Sequence, residues 1–500
     1  MRSVGMPTVM ASRWTALVAA FSLAVGCAGA EGDDARPGDD VAARPRATMP
    51  SVPLTAPPPE STVLGESSAP AATSTAVRCV APDDGLRTVV LWHALSPDAQ
   101  EPLDAVVSAY NDRQDEVELV AVKQPNYELL LRELRAVPEA DLPDVIIGNE
   151  ITVRTLHDSG ITVPPGECSG RGEAFPDLLP VVEATYTVDD ELVAVPYTVS
   201  TPVLIYNATT VAAAGLDPGR PPTTPEELRS AADAVVASGA APFGFVVHDQ
   251  VGSWLLRQWA AQRGDLVVVP DNGRGETEKL QAQFLTDDTR QDFQWLRDGV
   301  ADGSFVWIGG IPSGFDDLLR LVDHPEKAAF TMHTSAAVGG LLAIESLGVY
   351  PGQELGVSPL PGPAPGGLVG GGALWLIDRG DPTQVGAAWE AVQWLIEPSN
   401  LAPLITTTGY APPSSSVAAD STIVAAWAAK PELRVGYDQL AAMESGDAAA
   451  GVLAGPMPAL EPMMANVTDR IVYGEDVATV LRETENRFDA LLADYARTQG

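Results

Sequence analysis

From Arg87 onward, apolar and polar positions fall into short blocks of alternating character. Arg87 to Trp92 (RTVVLW) is a β-rich apolar run bounded by Gly85 and by the turn His93 to Pro97, the pattern of a buried parallel strand. Residues 97–113 then place Leu103, Val106, Val107 and Tyr110 at helical spacing. Val117 to Val122 returns to a strand pattern, Tyr127 to Val137 to a helical one, and Asp144 to Ile147 to a third strand. Strand and helix in alternation require helices that cross over a parallel sheet, so the predicted class is α/β. Farther along, the acidic turn Asp189-Asp190 leads into the apolar run Leu192 to Val195, a crossing marked by Pro196, and a second run Val203 to Tyr206. A short helix over Thr209 to Ala214 stops at Gly215, and another opens at Thr224-Pro225-Glu226-Glu227. Gly474 to Tyr495 repeats apolar residues at i, i+3, i+4 and i+7, a terminal helix.

The N-terminus changes the picture. Arg2 and Arg13 precede an apolar core, Trp14 to Val25, too short for a comfortable membrane span and typical of a secretory signal. Leu23-Ala24-Val25-Gly26-Cys27 reads as a lipobox, which makes residues 1–27 a lipoprotein signal peptide with Cys27 as the acylated residue. Residues 28–78 are dense in Pro, Ser, Ala, Gly and Asp without aromatics, a composition that cannot offset ordering entropy and predicts a disordered tether. The remaining length suits two lobes. Cys79 and Cys168 are left as either two thiols or a disulfide, and an oxidising exterior compartment favours the bridge.

Thirty basic residues against 67 acidic ones, net −37, argue against nucleic acid or an anionic membrane surface as partner. No G-x-S-x-G elbow, P-loop or H-E-x-x-H occurs, and His93, His157, His248, His324 and His333 lack metal-ligand spacing. Neither catalysis, a metal nor a cofactor is expected. Asp189 and Asp190 are more simply a hairpin than a glycosidase pair.

Tyr186 to Pro222, YTVDDELVAVPYTVSTPVLIYNATTVAAAGLDPGRPP, resembles the extracytoplasmic solute-binding proteins of ABC importers, in the branch that takes up sugars and glycerol phosphates. The resemblance extends through Trp92-His93-Ala94-Leu95, Tyr110-Asn111, Asn126-Tyr127-Glu128, Pro143-Asp144-Val145, Gly371-Gly372-Ala373-Leu374-Trp375, Thr408-Gly409-Tyr410 and Pro456-Met457-Pro458, and so covers Val80 to Tyr495 in order. It implies a two-lobed periplasmic-binding-protein fold of type II, each lobe a mixed sheet flanked by helices, with several strands crossing at the hinge. Residues 79–196 plus 373–409 form lobe one on this reading, and 197–372 plus 410–500 lobe two. The implied partners are a polar small molecule, the transmembrane permease subunits and, through the lipid anchor, the membrane, with the chain itself a monomer.

Carried over from the glycerol-3-phosphate and glycerophosphodiester binders, the implied ligand contacts are Tyr127, Glu150, Ser200, Trp254, Thr334, Ser335, Gly370, Gly371 and Tyr410. The second tryptophan of the family's ligand wall falls at Val251, and the run Trp254, Leu255, Leu256, Trp259 also suits a helix core. Trp92 and Trp375 are assigned to the sheet core, and His93 to a turn. One departure matters: the family's phosphate-clamping arginine falls at Leu453, which has no guanidinium to offer. Either Arg434 or a backbone nest replaces it, or the ligand is a neutral saccharide or other polyol. A subunit that reports to a sensor kinase shares the same fold and site.

Overall fold

The computed structural model describes residues 78–499 except 83–84, 172–174, 276–278, 312–313 and 445. The expected signal peptide and lipobox, and the tether save its last residue, lie outside the described residues. In chain order the strands are β1 (Arg87–His93), β2 (Val117–Lys123), β3 (Val145–Asn149), β4 (Thr162–Val163), β5 (Thr187–Val188), β6 (Glu191–Leu192), β7 (Val195–Ser200), β8 (Pro202–Asn207), β9 (Phe245–Val247), β10 (Val268–Val269), β11 (Gln281–Ala282), β12 (Phe305–Trp307), β13 (Phe330–Thr334), β14 (Leu355–Pro359) and β15 (Gly370–Ile377).

The first sheet has the order β2-β1-β3-β15-β4, with β7 also paired to β15. β1 runs parallel to β2 and β3, while β15 runs antiparallel to β3, β4 and β7. The crossover helices are those of the sequence pattern. Pro97–Arg113 starts on a proline, which has no orphan N–H to satisfy, and buries Leu103, Val106 and Tyr110. Tyr127–Ala136 is capped by Asn126, whose Oδ1 accepts the Leu129 N–H at 2.8 Å. Val145, Ile146 and Ile147 of β3 are fully buried, as a strand covered on both faces must be. The second sheet has the order β12-β9-β13-β8-β14, with β12, β9 and β13 parallel and β8 antiparallel to both β13 and β14. Its core joins Phe245, Phe305 and Phe330 to Leu228, Val235, Phe293 and Leu296 of the flanking helices.

Asp189 and Asp190 are the two left-handed residues of a tight hairpin joining β5 to β6, with φ of 49° and 65°. The chain changes sheet at Thr201 rather than at Pro196. Pro196 is accommodated within β7 because β15 is the strand paired with it there and a bulge falls between Gly372 and Ala373 opposite it, while the other edge of β7 is bridged farther on, at Val199 to Ala411. The return strand likewise begins at Gly370, ahead of the expected Ala373. Residues after Tyr410 do not pass at once to the second sheet. Helix Ser421–Ala429 packs on Pro398–Thr408, which packs on Pro97–Arg113, and the chain reaches β14 from Pro431–Arg434 onward and β8 with Val435–Ala441.

Side chains stitch the crossings together. Gln439 donates to Thr201 Oγ1 (2.9 Å) and Pro202 O (2.7 Å), while its Oε1 accepts the Leu360 N–H (2.6 Å), so one buried amide holds two crossing segments. At the far end of the first sheet, Cys79 and Cys168 form a disulfide with Cα atoms 5.3 Å apart. Beside it Arg78 donates to Asp378, Glu167 and the Thr162 carbonyl.

Candidate ligand-binding site

The parallel strands of both sheets end at the same place. β3 stops at Asn149 and delivers Glu150; Tyr127 opens the helix after β2; β7 ends on Ser200; Thr334 ends β13; Asp249 and Gln250 follow β9. These residues surround a cavity of about 470 Å³, within the range of small-molecule sites. Gly370 and Gly371 bring the start of β15 to its wall. Crevices beyond strand carboxyl ends are where open α/β sheets bind ligands, because loops and helix starts converge there.

The opposite wall comes from two helical segments. Asp249–Arg263 contains a π turn over Leu255–Trp259 and presents Trp254 and Arg257 to the cavity. Helix Met457–Val472 adds Glu461, Pro462 and Ala465. The Trp254 ring stands edge-on to the fully buried His248, centroids 5.3 Å apart, and His248 Nε2 bonds the Met332 carbonyl at 2.9 Å. The indole is thereby fixed as a flat apolar face.

Seven of the nine carried-over contacts line the cavity: Tyr127, Glu150, Ser200, Trp254, Thr334, Gly370 and Gly371. Ser335 and Tyr410 do not. Ser335 is buried in the hinge, where Oγ accepts the Thr201 N–H (3.3 Å) and its own N–H donates to Thr201 O (2.8 Å). Tyr410 is packed in the core behind Tyr127, next to the bridge between Ala411 and Val199. Val251 is core as well, so Trp254 is the single tryptophan among the described residues at the cavity. Leu453 is buried away from it, its N–H bonded to Asn272 O, and Arg434 lies on the surface over Trp427, paired with Asp438. Neither supplies a phosphate clamp.

Arg257, Glu461 and Asp249 were not anticipated. Arg257 lies one helical turn from Trp254, a spacing that places both on one face, but the run around it reads as core. Its guanidinium reaches Glu461 at 2.6 Å and Glu150 at 3.5 Å, and Ser253 Oγ donates to Glu461 at 2.9 Å. Burial opposes the charge on Arg257, but Glu461 and then Glu150 outweigh it and hold its pKa above the ordinary value. Burial pushes the Glu150 carboxyl up to about 7, against the pull of Arg257 and with the push of Glu461. Burial, then Glu150, lifts the Tyr127 hydroxyl to about 12, so it remains an O–H donor at neutral pH.

The Glu150 shift has a measurable sign. A carboxyl whose folded pKa lies above its unfolded value of 4.5 favours the folded state fully below that pH, and the contribution is lost as pH rises through about 7. Glu150→Gln is therefore expected to gain stability relative to the wild type between pH 5 and pH 8, by roughly 3 kcal/mol. Denaturant melts at the two pH values measure this, and a constant difference would remove the carboxyl from a desolvated site.

Two α/β lobes joined by strands that change sheet, with a polar cavity where their strand ends face each other, define a two-lobed periplasmic-binding-protein fold. The chain belongs to the bacterial extracellular solute-binding protein family, whose profile matches residues 105–434. Among curated relatives, the sn-glycerol-3-phosphate-binding periplasmic protein UgpB of Brucella abortus is 25% identical over 420 residues, 80% of this chain and 92% of that protein. UgpB of Yersinia pestis is 25% identical over 337 residues, 65% and 73% of the respective chains. Among solved structures, UgpB from Mycobacterium tuberculosis in complex with glycerophosphocholine superposes with a TM-score of 0.66 at 20% identity, covering 82% of this chain and all of that one. The cyclic α-maltosyl-1,6-maltose binding protein of Arthrobacter globiformis gives 0.66 at 24% identity, with the same coverage.

Proposed function

We propose that this chain is the lipid-anchored receptor of an ABC importer, tethered through Cys27, which captures a polyhydroxylated small molecule of the glycerol-phosphate, glycerophosphodiester or sugar class and presents it to the permease. The observation that carries this reading is the cavity itself, to which both lobes contribute: Tyr127, Glu150 and Ser200 from one side, Trp254 and Thr334 from the other. A carboxylate on a rigid strand end accepts hydroxyl protons in strong charge-assisted bonds, and an indole face covers C–H surface. The names of the relatives support the class. Transport follows from population shift: ligand favours the closed form because only there do both lobes touch it.

Glu150→Ala is expected to weaken binding of the cognate ligand at least tenfold, about 1.4 kcal/mol. Calorimetric titration checks it, and unchanged affinity would take Glu150 out of the ligand shell. A neutral oligosaccharide is a second reading, favoured by the burial of Leu453 away from the cavity.

A further inference from the structure

Among the described residues that line the cavity, Arg257 carries the only positive charge, while Asp249 and Glu461 carry carboxylates and Glu150 a carboxyl that burial pushes up to about 7. The arginine is committed. Glu461, itself anchored by Ser253, holds one end of the guanidinium, and Glu150 approaches it from the other lobe. The side chains of Arg257 and Glu150 are both largely buried, 12% and 15% exposed, so their interaction is weakly screened.

We propose that the Glu461–Arg257–Glu150 bridge sets the charge class of the ligand, admitting an uncharged polyhydroxylated molecule and rejecting an anionic phosphate monoester. The inference rests on the ligand-capture reading above and narrows it. A phosphate monoester entering the cavity meets a guanidinium already paired with Glu461 and approached by Glu150, and the Asp249 carboxylate lines the same cavity. It must either displace a carboxylate and leave it buried without a partner, or lie beside them against like-charge repulsion. A hydroxyl group suffers neither penalty. It donates to a carboxylate oxygen without breaking the bridge, and Arg257 keeps Glu150 and Glu461 in place as acceptors. Glu461 and Arg257 thus act as specificity-determining residues, and because Glu150 lies on the other lobe, the bridge also spans the cleft that a ligand must enter.

The test uses the full chain and titrates maltose, trehalose, sn-glycerol 3-phosphate and inorganic phosphate into wild type, Glu461→Gln, Glu461→Asp and the Glu150→Gln/Glu461→Gln double variant, with unliganded melts as the folding control. The wild type is expected to bind an uncharged compound at least tenfold more tightly than sn-glycerol 3-phosphate. Glu461→Gln is expected to shift that ratio at least tenfold toward the phosphate, Glu461→Asp to shift it less, and the double variant to acquire inorganic-phosphate binding at least tenfold tighter than wild type. A wild type that prefers sn-glycerol 3-phosphate, or a ratio unmoved in Glu461→Gln, overturns the proposal. If neither sugar nor sn-glycerol 3-phosphate binds any form, the ligand class proposed above falls, and the inorganic-phosphate arm still decides the charge argument: gain in the double variant sustains it, no gain refutes it.

Discussion

Gly371→Ala is expected to destabilise the protein by at least about 3 kcal/mol and to abolish ligand binding in whatever fraction still folds. Gly371 has φ of +90°, a conformation that costs an L residue on the order of 1–2 kcal/mol. A Cβ there would lie 1.7 Å from the Thr198 carbonyl oxygen, a backbone atom of β7 that cannot turn aside. Relief would require β15 and β7 to separate beside the bulge, where the return crossing enters the first sheet and forms part of the cavity wall. The neighbouring position supplies the control. At Gly370 a Cβ would meet Ser200 Oγ at 3.3 Å, a side-chain atom able to give way, and no left-handed backbone is needed. Gly370→Ala should therefore cost under about 1 kcal/mol. Chemical denaturation of the two variants measures the contrast, and equal stabilities would show that the strand ends are not packed as described.

Removing the Cys79–Cys168 bridge by reduction, or as the Cys79→Ser/Cys168→Ser pair, is expected to cost about 2–4 kcal/mol. The bridge closes 89 residues of chain, enough to include β1, β2, β3 and both crossover helices, so its loss frees a large loop in the unfolded state. The folded state should change little, because Val80 remains bonded to Pro382 and Arg78 to Asp378, Glu167 and Thr162. Since β15 runs from the cavity at Gly370 to Ile377, beside the bridge at the other end, ligand affinity should stay within a few-fold of wild type. A melt in reducing buffer that coincides with the oxidised one would contradict this.

The first lobe was legible because its elements are long and regular. Residues 97–113 and 127–137 have apolar spacing, one opening on a proline and the other on the Asn126 cap, and β1 to β3 are largely apolar runs between turns. In the second lobe β9 and β12 are three residues each, too short for periodicity to register, and they are placed by packing against Phe293 and Leu296. The misplacements within the site have a common cause. Motifs mark chain segments, whereas direction toward a ligand alternates residue by residue as a strand ends. Thr334 faces the cavity and Ser335, one position on, turns into the hinge. A proline reads as punctuation in sequence, yet β7 tolerates Pro196 because the bulge in β15 falls opposite it. Arg257 is not legible in sequence because its partners lie 107 and 204 residues away, and nothing in its own neighbourhood announces them.

Capture between two lobes is open to calorimetric titration of the full chain with whichever polyol, saccharide or glycerophosphodiester raises its melting temperature most. The measurement compares wild type with Tyr127→Ala on one lobe and Trp254→Ala on the other. One ligand per chain is expected, with an affinity reduced at least tenfold by each substitution, since both walls contact the same molecule. Binding that depends on one wall alone, or on neither, would contradict it.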